Sequence, residues 1–70
     1  MSRKHLNPVE QKRLLAVYHD RCVEYYKNVN DTTFQEVVEA EHVCNVKGIR
    51  ASELTKTRFA ALHEVENNEK

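Results

Sequence analysis

A chain of 70 residues with 11 basic and 11 acidic side chains carries no net charge, and 40% of it is apolar. That length holds one domain at most, with a core contributing about 3–5 kcal/mol, and its neutrality gives no global field to draw in nucleic acid or an anionic membrane. No apolar run reaches the length of a membrane span or a signal-peptide core.

Charge is nevertheless unevenly placed. Positions 1–28 hold six basic and three acidic side chains, positions 29–47 one and four, and positions 48–70 four and four. The opening Met1-Ser2-Arg3-Lys4 lacks the glycine that N-myristoylation requires, and it supports a cytoplasmic reading.

One proline and one glycine punctuate the chain. Pro8 after Asn7 reads as the first helical residue behind an N-cap, with Glu10 as capping-box partner. The first helix is expected over about 8–28. Leu15, Tyr18, Cys22, Tyr25 and Val29 follow at three- and four-residue steps, flanked by Leu14 and Tyr26. Val17 and Val23 fall outside this arc on opposite sides. Such a wide apolar face predicts a central helix touching both neighbours, and it equally suits self-association as a homodimer.

The second helix is expected over about 32–47, with Asp31, Thr32 or Thr33 as its cap. Phe34, Val37, Val38 and Cys44 mark its buried face, while Glu36 and Glu39 point away. Val43 to Val46 favour β structure by composition, but a lone strand would have no partner, so helix is the reading kept. Gly48 as C′ and Ile49 as C″ complete a Schellman motif, with Ile49 packing on Cys44.

The third helix is expected over about 52–66 with Ser52 as cap. Leu54, Ala61, Leu62 and Val65 form its stripe, with Phe59 at the edge. Segments 1–6 and 67–70 read as flexible ends. The fold class is all-α: a small three-helix domain whose long first helix packs on an antiparallel hairpin of the other two, turning at Gly48.

Two charges interrupt the apolar stripes, Glu41 on helix two and Arg58 on helix three. A tight turn over residues 48–51 sets Phe34 against Val65, Val37 against Leu62, Val38 against Ala61 and Glu41 against Arg58. The last two are therefore expected to form a structural ion pair that fixes register. Folding back between Asn28 and Asp31 sets Cys22 opposite about position 38. Cys44 is then offset by six residues, about 9 Å along a helix, too far for a disulfide.

No metal or cofactor site is expected. His19 and Cys22 have a usable ligand spacing, but His42 and Cys44 point to nearly opposite sides, and His5 and His63 belong to no motif. Nothing supplies an oxyanion hole or a phosphate cradle, so the chain is read as a non-enzyme. A membrane partner is not expected either, because the tyrosine-rich face of helix one suits a folded core.

The leading functional reading is a small regulatory or inhibitory protein that binds a larger protein. Its partner-binding candidates are the acidic side chains Glu36, Glu39 and Asp31 and the apolar Val17, Val23 and Val46. The alternative is a helix-turn-helix DNA-binding regulator reading through Arg50, Ser52, Thr55, Lys56 and Thr57, residue types that contact phosphates and base edges. Against it stand the neutral chain, a long acidic second helix, and Glu53 and Glu64 beside Lys56. A third reading is a structural subunit of an assembly.

Overall fold

A computed structural model describes residues 7–68, and the expectations for segments 1–6 and 69–70 lie outside the described residues. Three helices follow in order: α1 (Pro8–Lys27), α2 (Asp31–Val46) and α3 (Ala51–Asn68). Among the described residues there is no strand, and Val43 to Val46 complete the last turn of α2.

Each boundary has a local cause. Asn7 caps α1 ahead of Pro8 by accepting from the Val9 amide at 2.9 Å. Glu10 does not close a capping box there. Its carboxylate instead lies 3.8 Å from Lys47 Nζ, at the far end of α2. The cap of α2 is Asn30, one residue ahead of the expected candidates. Its side chain accepts from Thr33 N at 2.9 Å, and Thr33 Oγ1 accepts from Asn30 N at 3.2 Å. Thr33 also donates to the Asn28 carbonyl at 2.8 Å, which ties the α1–α2 corner together and accounts for a buried threonine.

The turn after α2 is the Schellman motif expected from Gly48 and Ile49. Ile49 N donates to Cys44 O at 2.9 Å and Gly48 N to Asn45 O at 3.0 Å. Gly48 has φ +95°, a backbone state costly to any residue with a Cβ. Ile49 is buried in the same cluster as Cys44. The third helix starts one residue early, with the Arg50 carbonyl accepting from Glu53 N and Leu54 N. Ser52 therefore sits inside the first turn and caps nothing, and the helix continues through Asn67 and Asn68, two residues past its expected end at about 66.

Three contacts fix the sense of α1 and α2. Glu10 meets Lys47, the Cys44 thiol donates to the Leu14 carbonyl at 3.9 Å, and the Tyr25 and Phe34 rings lie 5.8 Å apart. The two helices are antiparallel along their whole length. The chain then reverses at Gly48 beside the start of α1, so α3 runs parallel to α1, and Glu64 Oε1 comes 3.2 Å from His19 Nε2.

Helix α1 packs on both partners, and its Tyr18 and Cys22 form the centre of a core with Val37, Cys44, Ile49, Leu54 and Ala61. Helices α2 and α3 scarcely touch each other. The direct facing pairs expected from the turn register are consequently loosened. Phe34 stays 51% exposed and Val38 is exposed, where a close α2–α3 interface would have buried them. Glu41 and Arg58 make no ion pair: Glu41 is half-buried and Arg58 is exposed. Tyr18 of α1 is fully buried in a core shared by residues of α2 and α3, so each of those helices meets α1 rather than the other.

Candidate functional site

Antiparallel packing of α1 and α2 leaves an open groove on their outer side. It has a volume of about 290 Å³ and is lined by Val17 and Arg21 of α1 and by Glu36, Glu39, Ala40 and Val43 of α2. Helical spacing explains the set. Val17 and Arg21 are four apart, and Glu36, Ala40 and Val43 are four and three apart, so each group forms one ridge. The floor is apolar and open: Val17 is 40% exposed and Val43 42%. One wall is acidic, from Glu36 and Glu39, and Arg21 stands on the other.

Three of the partner-binding residues expected from sequence thus meet in one place, namely Val17, Glu36 and Glu39. The other three do not. Asp31 is exposed in the first turn of α2, at the corner. Val46 is exposed at the opposite end of that helix. Val23 is half-buried against the core and acts as packing. Arg21, Ala40 and Val43 were missed, although folding the chain back between Asn28 and Asp31 sets Val17 against Val43 and Arg21 against Glu39.

The residues of the DNA-binding alternative do not form a comparable surface. Thr55, Lys56 and Thr57 are consecutive, so they fan out by about 100° each around α3. Arg50, Ser52, Thr55 and Lys56 are exposed, but the Thr57 hydroxyl donates to the Glu53 carbonyl at 2.9 Å within its own helix. A helix-turn-helix also sets its two helices at about 90–120° to each other, whereas α2 runs antiparallel to α1 and α3 parallel to it.

The cysteines are free and buried. Burial pushes both thiols up from their ordinary range; at Cys22 the Tyr18 hydroxyl and Arg58 oppose this, while at Cys44 the Glu41 carboxylate adds to it. A thiol held protonated is a poor nucleophile and a poor ligand. His19 turns Nε2 to Glu64 Oε1 at 3.2 Å and Nδ1 to Asp20 Oδ1 at 3.9 Å. Among the described residues no three His, Cys, Asp or Glu side chains gather at metal-binding distance, and no helix is long and apolar enough to cross a membrane.

No protein-family model, curated protein or solved structure matches this chain.

Proposed function

We propose that this chain is a non-enzymatic cytoplasmic regulatory or inhibitory protein that acts by docking a segment of a larger protein into the α1–α2 groove. The observation that carries this reading is an apolar floor of Val17, Ala40 and Val43, open to solvent beside the Glu36–Glu39 wall. Apolar side chains left at the surface in one groove between two rigid helices suit a side chain from a partner. The acidic wall selects for lysine or arginine beside that apolar contact, and it speeds encounter with a basic segment. Nothing in the groove pairs a nucleophile with a base, which favours recognition over chemistry.

The test is affinity capture from nuclease-treated native lysate, run in parallel with wild type and variants. Val17→Asp and Val43→Asp should abolish retention of the partner without lowering helicity, because both sites are exposed. Glu36→Lys with Glu39→Lys should slow association about tenfold or more, an effect that fades as salt rises. Alanine at Arg50, Lys56 and Thr57 should leave retention intact. Duplex DNA bound at physiological salt and lost on Arg50→Ala and Lys56→Ala would overturn the reading in favour of the helix-turn-helix.

A further inference from the structure

A second face of the molecule is left incomplete by its own chain. Helices α2 and α3 are separated by α1 and scarcely touch, so the apolar side chains that border their gap keep their exposure. On α2 the row is Phe34, Val38 and Glu41, at four- and three-residue steps. On α3 it is Arg58 and Leu62, with Phe59 beside them, and Phe59 is 56% exposed. The Tyr25 ring of α1 lies 5.8 Å from that of Phe34. This face points away from the Glu36–Ala40–Val43 ridge, so it is independent of the groove described above.

The two charges decide what fits there. Glu41 and Arg58 sit in these otherwise apolar rows, one on each wall, with opposite signs. Neither takes part in an ion pair among the described residues. Glu41 lies seven residues before Gly48 and Arg58 seven residues after Ala51, so the two stand at matching heights along their helices. A face that carries one acid and one base in matched apolar rows is complementary to itself. A two-fold axis through the gap sets α2 of one copy against α3 of the other, and it generates each contact twice.

We infer that the α2–α3 face is closed by a second copy of this chain, with Glu41 of each copy paired to Arg58 of its partner and Phe34, Val38, Leu62 and Phe59 packed around the two pairs. Charge supports a second copy over an unrelated protein. The chain is neutral overall, so two copies do not repel at long range. The cross-copy pairs also neutralise both charges that the monomer leaves unpaired. Each copy gains apolar burial that a 70-residue core lacks on its own. The two α1–α2 grooves remain open on the outside of such a dimer.

Sedimentation equilibrium of the full chain, from about 1 to about 500 μM, tests the proposal. A reversible dimer is expected, with a melting temperature that rises with concentration. Glu41→Arg and Arg58→Glu should each weaken dimerisation tenfold or more, and the double swap should restore it to within a fewfold of wild type. Unchanged helicity of each single variant by circular dichroism separates loss of the dimer from loss of the fold. Phe59→Asp, at an exposed site, should weaken the dimer as well, while Val17→Asp in the other groove should leave it unchanged. A monomer throughout the concentration range would overturn the proposal. So would a dimer indifferent to both single reversals, or one that the double swap fails to rescue.

Discussion

Tyr18 is fully buried, and its hydroxyl has no hydrogen-bond partner among the described residues. The Cys22 thiol one turn on bears on it, but as a weak acceptor outside hydrogen-bond geometry it does not satisfy the hydroxyl. A buried unsatisfied hydroxyl costs about 1–3 kcal/mol, while the ring itself fills the centre of the core. Tyr18→Phe keeps the ring and removes the orphan, and it should stabilise the domain by about 1 kcal/mol in urea melts. Burial, the largest cause, pushes the hydroxyl up to about 12, with the Cys22 and Glu41 charges adding and Arg58 opposing. Below pH 10, its ordinary value, both folded and unfolded chains hold the proton. Between 10 and 12 only the folded chain does, so stability falls as pH rises through that window. The fall should be shallower in Tyr18→Phe; an identical alkaline slope in both proteins would contradict the burial of the hydroxyl.

The helices are delimited by interactions that each span only a few residues. Asn30 and Thr33 exchange side-chain and backbone bonds at the start of α2, and Thr33 adds a third to Asn28. Removing this cap with Asn30→Ala should cost about 1 kcal/mol. At the other end of α2, Gly48 holds φ +95° in open space, so backbone conformation alone resists a side chain there. Gly48→Ala should cost about 1–2 kcal/mol, whereas Gly48→Asn should cost less, because asparagine tolerates this conformation. The cap and the turn lie at opposite ends of one helix, so their effects should add in thermal or denaturant unfolding. A Gly48→Ala protein as stable as wild type would mean that the Schellman turn is not maintained in solution.

The assembled molecule is an up-down-up arrangement in which α1 mediates nearly all the packing. Its consequence is two open faces of different character. One, between α1 and α2, joins valines to an acidic wall and suits a basic, partly apolar segment. The other, between α2 and α3, is apolar with a balanced pair of charges and suits a second copy. A combined measurement separates them: Val17→Asp should lose partner capture and keep the dimer, while Phe59→Asp should lose the dimer and keep capture. Loss of both functions in either variant would show that the two faces are one site.

Local chemistry makes much of this legible in the residues themselves. Asn7-Pro8 and Gly48-Ile49 act through bonds to neighbours in the chain, so their residue types are sufficient to read the start of α1 and the end of α2. The buried rows Tyr18–Cys22 and Leu54–Ala61–Val65 follow from helical spacing alone. Asn30 was missed because three adjacent polar residues offered competing caps, and only the corner bond from Thr33 to Asn28 selects among them. Which flank of α2 is covered is a different kind of fact. Val37 and Phe34 differ by less than a quarter turn of a helix, and both are apolar, so periodicity does not choose between them. The choice belongs to packing across helices, where α2 and α3 each meet α1 rather than one another. That leaves Phe34, Val38 and Arg58 exposed and Glu41 half-buried, because packing between elements, unlike a cap or a turn, acts over residues distant in sequence.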